Sequence, residues 1–320
     1  MKLSDLGERE IIRHLNRFAN NEMPEDCALI ESGRHYIMIS SDSVSVENNI
    51  PEGAPDELIG EFLAGINLSD IAAMGGIPIG MVIDVLAPPD TEMESLEGIY
   101  MGASRRLSQF GSYIMGGDTK EAKELILAGT IFGRQLKNKV IRRSGIAAGQ
   151  IIGITGKLGK CVTGYHLYRS GYRINHAIRL MLDFVPRVRE GQILADSGVK
   201  FMTDLSDGLF SSIWQIKESF GLGARIVGDD IPVYSGIKKA ADITDIDTVI
   251  EACNFGGDYE LMFTVNNEDY EGFREQMKKS GVEVHFIGDL YHGDPILFRE
   301  DRWHKIEKKG YEHFTKNRYV

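Results

Sequence analysis

The sequence predicts a mixed α/β protein made of two domains. Strand-like and helix-like segments alternate through both halves of the 320 residues, as they do in α/β and α+β architectures. A chain of this length also exceeds the usual size of a single domain. The segment 134–150 is polar, basic and punctuated by glycine, so we place the boundary near residue 140, which gives domains over 1–140 and 141–320.

Composition and charge exclude several classes of protein. Hydrophobic residues make up 42% of the chain and charged residues 26%, as in globular proteins. The formal net charge of −11 argues against a nucleic-acid-binding protein, which needs a basic surface. The three cysteines form no CxxC pair, and no apolar run is long enough for a signal peptide or a membrane span. We therefore expect a cytoplasmic protein that binds neither nucleic acid nor a membrane.

The first half is predicted to combine helices with strands of a sheet. Apolar residues at helical spacing predict a helix over 4–20, with Ser4 or Asp5 as its N-cap. A second helix ends at Met74, because two glycines and a proline follow it. The predicted elements after the first helix are strands over 35–41, 79–86, 112–115 and 125–133 and helices over 56–74 and 92–110.

The second half begins with a predicted strand at 150–156, whose sequence is QIIGITG. The later elements are helices over 160–170, 186–197, 208–219 and 268–280 and strands over 199–203, 258–265 and 282–290. Their order within a sheet cannot be read from the pattern, but the alternation again indicates a mixed α and β domain.

A carboxylate follows directly after several of the short apolar strands. Asp42, Asp118 and Asp204 take this position, and Asp207 comes three residues after Asp204. One such acid is most often a turn former or an N-cap. Asp70, however, lies inside an otherwise apolar helix, where an unpaired carboxylate is costly to bury. Together these acids predict a site for a hard cation such as Mg²⁺, which takes oxygen ligands and bridges to substrate phosphates.

Two further features favour binding of a phosphate. Gly116 and Gly117 precede Asp118 and let the backbone approach a ligand closely. Arg142 and Arg143 can donate to phosphate oxygens, although a solvated linker is the alternative reading of this basic segment. No Walker A spacing and no complete GxGxxG fingerprint is present, so neither of these nucleotide loops is predicted.

Several short motifs follow one another along nearly the whole chain. They are EDCALI (25–30), SSDSV (40–44), INLSDIAAMGGIP (66–78), GGDT (116–119), RSG (143–145), DLSDGL (204–209), GGDYELMFT (256–264) and GYEHF (310–314). This set resembles the thiamine-monophosphate kinase family, which is part of the superfamily of aminoimidazole-ribonucleotide synthetase-like ATP-dependent enzymes. The resemblance implies two α/β domains, a homodimer formed through the N-terminal sheet, and transfer of the γ-phosphoryl group of ATP to thiamine monophosphate, giving thiamine diphosphate.

Matched motif by motif, the resemblance also implies several Mg²⁺ ions and contacts to both substrates. The implied metal ligands are Asp26, Ser40, Ser41, Asp42, Asp70, Asp118, Asp204 and Asp207. The implied nucleotide contacts are Gly117, Asp118, Arg143 and Ser206. The positions that contact the acceptor are Asn49, Gly257 and Tyr311. No catalytic base is expected, because the acceptor phosphate is already ionised at neutral pH.

Two acceptor positions depart from the family pattern. A histidine of the family falls on Asn49 and a glutamate falls on Gly257, and Asp258 or Glu25 are the acids that could replace that glutamate. The acceptor is therefore open, and two alternatives stand beside the kinase. One is a related ATP-dependent enzyme with another acceptor, such as selenide, a purine intermediate or a carbamoyl group. The other is a homologue that binds a nucleotide or coenzyme without turnover.

Overall fold

The structure, a computed structural model, describes residues 2–18, 25–308 and 314. Its helices are α1 (Glu8–Asn16), α2 (Val46–Asn49), α3 (Asp56–Ala73), α4 (Met93–Ser108), α5 (Lys160–Arg169), α6 (Ile174–Leu182), α7 (Val188–Asp196), α8 (Leu209–Phe220), α9 (Ile237–Thr244), α10 (Thr248–Asn254) and α11 (Tyr270–Ser280). Its strands are β1 (Ala28–Ser32), β2 (His35–Ser45), β3 (Ile77–Ala87), β4 (Ile114–Gly116), β5 (Thr119–Glu121), β6 (Ile126–Leu136), β7 (Ile151–Thr155), β8 (Phe201–Asp204), β9 (Gly223–Val227), β10 (Leu261–Val265), β11 (Val284–Tyr291), β12 (Ile296–Arg299) and β13 (Arg302–Lys305). None of the helices in these ranges is both long enough and apolar enough to cross a bilayer.

The first sheet contains the strands of the N-terminal half, in the order β1-β2-β6-β3-β4, with β5 paired to β3. Its centre is antiparallel, and Asp42 of β2 lies opposite Gly129 of β6, which lies opposite Ile83 of β3. Side chains alternate between the two faces of a strand, so Met38, Ser40 and Asp42 share one face. Helix α3 packs on that face, which we call the helix-covered face. The opposite face is called the outer face below.

Helix α3 is buried on nearly every side. Asp56 and Glu57 occupy its first turn, where negative charge stabilises the N-terminus of a helix, and Gly75 follows its end with a φ of 70°. Gly60 of α3 and Gly102 of α4 bring these two helices into backbone contact, because a Cβ at either glycine would overlap a carbonyl group of the other helix. The polar residues in the last turns of α3 are therefore placed inside the protein.

The second sheet contains the strands of the C-terminal half, in the order β13-β12-β9-β11-β7-β10-β8. Strand β8 lies at one edge of it and also contacts α3, as does helix α7. Gly191 of α7 lies against the carbonyl group of Ala72, where a Cβ would overlap that oxygen. Helix α3 thus contacts both halves of the chain. It brings the end of β8 close to the helix-covered face of the first sheet.

The predicted fold class is confirmed, since helices and strands alternate around two sheets. The strands expected over 35–41, 79–86 and 125–133 correspond to β2, β3 and β6, and the helix expected over 56–74 corresponds to α3. The position near residue 140 lies between the last strand of the first sheet and the first strand of the second. The division into two domains at that position stays a prediction.

The helix predicted over 4–20 is wrong in its extent. Residues Leu3–Asp5 form a 3₁₀ turn, and α1 begins only after Gly7, whose φ of 77° interrupts the pattern and places glycine at the N-cap in place of Ser4 or Asp5. The last two residues of the prediction, 19 and 20, lie outside the described residues. The short elements α2, α6, α9, α10, β1, β5, β9, β12 and β13 were not predicted, because segments this short carry little periodicity.

Candidate functional site

A cavity of about 340 Å³ opens between the two halves of the chain. Its walls come from α1, β2, α2, α3, the end of β8 with the turn that follows it, and Tyr259. The lining residues are Glu8, Asp42, Ser43, Val44, Asn49, Phe62, Ile66, Asp70, Asp204, Ser206, Asp207 and Tyr259. Carboxylates dominate the polar part of this wall, so the cavity is suited to a ligand that brings positive charge or cations with it.

Three carboxylates converge beside the cavity. Asp26, Asp70 and Asp204 each offer an oxygen, and these oxygens lie within 4.8 Å of one another. They come from the loop before β1, from α3 and from the end of β8, so the fold and not a local motif brings them together. Three hard oxygen donors at this spacing fit a divalent cation such as Mg²⁺.

Neighbouring polar groups fix these carboxylates. The Ser40 hydroxyl donates to Asp70, and the Ser69 hydroxyl donates to Oδ2 of Asp204 at 2.7 Å. Asn67 uses its amide oxygen to accept from the backbone N–H of Asp42 at 3.3 Å. Asn67 and Asp70, which lie on one side of α3, therefore join the first sheet to the acidic site.

Arg143 provides positive charge next to the carboxylates. Its Nη2 donates to Oδ1 of Asp26 at 2.5 Å and to Oγ1 of Thr203 at 2.9 Å, and its Nε donates to Oδ2 of Asp26 at 3.3 Å. Its backbone N–H donates to Glu25, which also pairs with Arg142. The basic segment is therefore bound to the acidic loop and is not a solvated linker.

The carboxylates repel one another and are poorly solvated. Burial raises the pKa of Asp70 well above its ordinary value, and the charges of Asp42, Asp204 and Asp26 raise it further. Burial, followed by the charge of Asp26, raises the pKa of Asp204 to about 7. Burial also raises the pKa of Asp42. A bound cation would reverse these shifts, because it favours the ionised form of every carboxylate around it.

The raised pKa of Asp204 predicts how the metal-free protein responds to pH. The folded-state pKa of about 7 exceeds the ordinary 3.8, so between these values the folded state holds a proton that the unfolded chain has lost. Stability should therefore fall as the pH rises from about 4 to about 7. Urea unfolding in the presence of EDTA at about pH 5 and about pH 8 measures this change. Asp204→Asn should flatten the dependence, and a wild-type stability that rises with pH over this range would contradict the assignment.

Some predicted ligands lie away from the cavity. Ser41 and Asp118 are exposed, and Ser41 bonds to Thr130 on the outer face of the first sheet. Asp118 pairs with Lys120 at 3.0 Å. Gly117 packs against the carbonyl group of Ile83, so its missing side chain makes room for the protein's own backbone. Within the described residues of one chain, this part of the predicted site is separate from the cluster of Asp26, Asp70 and Asp204.

The predicted acceptor positions are also divided. Asn49 lines the cavity and accepts from the backbone N–H of Ser45 at 3.0 Å, and Ser206 and Asp207 line the same cavity. Gly257 is not among the lining residues. Tyr311 lies outside the described residues.

The sequence as a whole matches known proteins. Residues 24–135 match the family AIR synthase related protein, N-terminal domain, and residues 175–296 match AIR synthase related protein, C-terminal domain. The chain is 28% identical to a thiamine-monophosphate kinase from Pyrococcus horikoshii, over 99% of each chain. It is 30% identical to a thiamine-monophosphate kinase from Methanospirillum hungatei, over 97% of this chain and 99% of that relative. The chain belongs to the thiamine-monophosphate kinase family.

A solved structure shows that the fold is shared as well. The structure of AaThiL complexed with AMPPCP and TMP matches with a TM-score of 0.86 at 21% identity, and the match covers 98% of this chain and 99% of that chain. At this level of identity the likeness establishes the fold. The resemblance inferred from the motifs is thus confirmed at the level of the thiamine-monophosphate kinase family.

The acids that could replace the family's glutamate at Gly257 are engaged elsewhere. The Asp258 carboxylate accepts from the backbone N–H groups of Gly159 at 2.6 Å and Cys161 at 2.9 Å, at the N-terminus of α5. Glu25 is bonded to Arg142 and to the backbone of Arg143. In this member of the thiamine-monophosphate kinase family, both acids are therefore bound to other groups of the protein.

Gly257 itself has no room for a side chain. Its φ is 85°, and an added Cβ would lie 2.6 Å from the Cys161 sulfur. Gly257→Ala is therefore expected to lower the free energy of unfolding by about 1–2 kcal/mol, measured by urea unfolding. Gly171→Ala is the matched control, because Gly171 has a φ of 71° but open space around it, and it should cost less. Equal costs for the two variants would show that Cys161 does not limit position 257.

Several cavity residues were missed from the sequence. Glu8 reaches the cavity from α1, Phe62 from α3, and Tyr259 from the segment before β10. Arg187 forms a two-pronged ion pair with Glu260, the next residue after Tyr259, through contacts of 2.5 and 2.6 Å. The motif DYEL contains Tyr259 and Glu260. Arg187, the partner of Glu260, lies far away along the chain.

Proposed function

We propose that this protein transfers the γ-phosphoryl group of ATP to thiamine monophosphate and so produces thiamine diphosphate. The observation that carries the proposal is the convergence of Asp26, Asp70 and Asp204 at a cavity in a member of the thiamine-monophosphate kinase family. Phosphoryl transfer between two polyanions needs positioning and neutralised charge more than it needs a protein nucleophile.

We further propose that Asp26, Asp70 and Asp204 hold Mg²⁺, with Asp42 and Ser40 close enough to complete the site. When bound, the metal neutralises phosphate charge that the acidic cavity would otherwise repel. Asp42 is held by the amide of Asn67, and Ser40 is held by its hydrogen bond to Asp70. These contacts orient the ligand oxygens before any substrate binds, which is the requirement for efficient electrostatic catalysis.

The remaining predicted residues receive roles that fit their positions. Arg143 neutralises Asp26 and has a planar guanidinium suited to phosphate, so we assign it to the nucleotide. Ser206 and Asp207 line the cavity and are assigned to the nucleotide and to a further metal ion. Asn49 and Tyr311 are assigned to the acceptor. The attacking oxygen needs no protein base, because the acceptor phosphate is ionised at neutral pH.

The outer face of the first sheet supports a homodimer. Side chains on this face include Ile37 and Ile39 of β2, which lie next to Ile30 of β1 and Phe132 of β6, and Ile30 is 54% exposed. We propose that a second copy covers this apolar face and that Ser41, Gly117 and Asp118 belong to the nucleotide site in that assembly. Light scattering from the purified protein tests the dimer.

We also propose that the protein acts in the cytoplasm.

The direct test is incubation with ATP, Mg²⁺ and thiamine monophosphate, followed by chromatographic separation of the thiamine phosphates. Formation of thiamine diphosphate together with ADP supports the proposal. ATP hydrolysis that another acceptor stimulates, with no thiamine diphosphate, would instead indicate the related enzyme with a different acceptor. Tight calorimetric binding of ATP or thiamine diphosphate with no turnover under any metal condition would indicate the non-catalytic homologue.

A further inference from the structure

The backbone of Tyr259 is held in an unusual conformation. Its φ is 51°, a value that non-glycine residues rarely adopt and that is often found at functional sites. The segment around it is fixed on both sides, because the N–H of Gly257 donates to the Ser206 carbonyl at 2.8 Å and the N–H of Leu205 donates to the Glu260 carbonyl at 2.8 Å. The turn after β8 and the segment before β10 are therefore bound together through the backbone.

The side chains on either side of Tyr259 are fixed as well. Asp258 accepts from two backbone N–H groups at the start of α5. Glu260 is buried and receives Arg187 on both oxygens and the Thr155 hydroxyl at 2.6 Å. With both neighbours engaged in the protein interior, the backbone of Tyr259 is held at the wall of the cavity.

The ring of Tyr259 is packed among other aromatic rings. The ring stacks on Phe184 with centroids 4.2 Å apart and meets Phe62 edge-on at 6.2 Å. The residue lines the cavity near Asp42 and Asp207. Across the ranges 2–18 and 25–308, the hydroxyl has no hydrogen-bond partner.

A donor at this position complements the acidic wall. The carboxylates of the cavity accept hydrogen bonds and cannot donate them when ionised, so a phosphate oxygen finds few donors there. A tyrosine hydroxyl carries its proton at neutral pH and can donate. Ser43, Asn49 and Ser206 are the other uncharged polar residues of the lining, and all three are exposed, whereas Tyr259 is held between two aromatic rings.

We propose that the Tyr259 hydroxyl donates a hydrogen bond to a phosphate oxygen of the acceptor and fixes the position from which that phosphate attacks. This inference rests on the proposed function and deepens it, because it names a substrate contact at the same cavity. It involves no covalent step. Its chemistry requires only a phosphomonoester within reach of the hydroxyl.

The test is Tyr259→Phe, which removes the hydroxyl and keeps the stacked ring. With wild-type protein that turns over, kcat/KM for thiamine monophosphate should fall about 10- to 100-fold, as for loss of one hydrogen bond to a charged group. KM for ATP should change less than about twofold, because the bond is made to the acceptor. Tyr168→Phe is the matched control, since its hydroxyl donates to the Glu52 carbonyl at 3.3 Å outside the cavity, and it should keep wild-type kinetics.

Three outcomes would overturn the inference. They are an unchanged kcat/KM for thiamine monophosphate, a KM for ATP raised by as much as the KM for thiamine monophosphate, and a melting temperature so low that unfolding of the variant alone accounts for the lost activity. If the wild-type protein shows no turnover, the proposed function fails separately. Calorimetry with thiamine monophosphate and Mg²⁺ then decides the inference, because equal affinities of wild type and Tyr259→Phe would sink it and weaker binding by the variant would support it.

Discussion

Asp70→Asn is expected to abolish most of the phosphoryl transfer while making the metal-free protein more stable. Asp70 lies in the centre of the acidic site, where its oxygen is within 4.8 Å of oxygens of Asp26 and Asp204. Loss of one such preorganised charge should reduce kcat by about 10²- to 10³-fold. The apo protein should gain stability, because burial and like charges already disfavour the ionised form of this group, as its raised pKa indicates.

Thermal melting with and without Mg²⁺ and a thiamine diphosphate assay measure both effects. The rise in melting temperature on addition of Mg²⁺ should shrink in the variant, since a ligand stabilises only the state that binds it. Asp196→Asn is the matched control, because Asp196 is 53% exposed and pairs with Lys139 on the surface, at 2.7 Å. A variant at position 70 with normal activity at low Mg²⁺ would show that this carboxylate holds no metal.

Arg187→Met is expected to give the largest loss of stability. The guanidinium of Arg187 is the counterion of Glu260, whose side chain is only 6% exposed. Removal of Arg187 leaves the charge of Glu260 buried without this counterion, at a cost of about 3–5 kcal/mol. Activity should also fall, because Glu260 fixes the segment that carries Tyr259. Urea unfolding followed by circular dichroism measures the change.

The chain offers a matched control for this substitution. Arg225 pairs with Asp289 through the same two-pronged geometry, at 2.5 and 3.1 Å, but the two side chains are 48% and 30% exposed. Arg225→Met should cost less than about 1 kcal/mol, as surface ion pairs do. If the two variants lost the same stability, burial of Glu260 would not be the cause of the effect.

The sequence predicted the local parts of the site better than their meeting in space. Asp42 near the end of β2, Asp204 at the end of β8 and Asp70 inside α3 were identified from predicted strand ends and from the cost of a carboxylate in an apolar helix. That Asp26 joins Asp70 and Asp204 depended on the family resemblance, because the three are contributed by a loop, a helix and a strand that are far apart along the chain. Side-chain pairs formed between distant elements leave no periodic signal.

Other features were beyond prediction for a more specific reason. The position of Glu8 in the cavity depends on where α1 packs. Helix α1 begins after a glycine at its N-cap, and the helical spacing of the apolar residues did not reveal this start. The placement of Tyr259 depends on its φ, which the surrounding hydrogen bonds impose against its own preference and which no periodic pattern predicts. A short helix such as α10 begins where Asp247 accepts from the N–H groups of Val249 and Ile250, but seven residues contain too few turns for a periodic signal.

The sharing of α3 between the two halves constrains how this gene can be rearranged. Ser69 on this helix bonds to Asp204 of the other half, and Ala72 lies against Gly191 of α7. A fission of the gene between the halves would produce one fragment with an uncovered central helix and another with an uncovered sheet edge. We therefore expect the two halves to require each other for folding, so that either half joined to a foreign partner would need that partner to supply a helix like α3 or a surface that receives it.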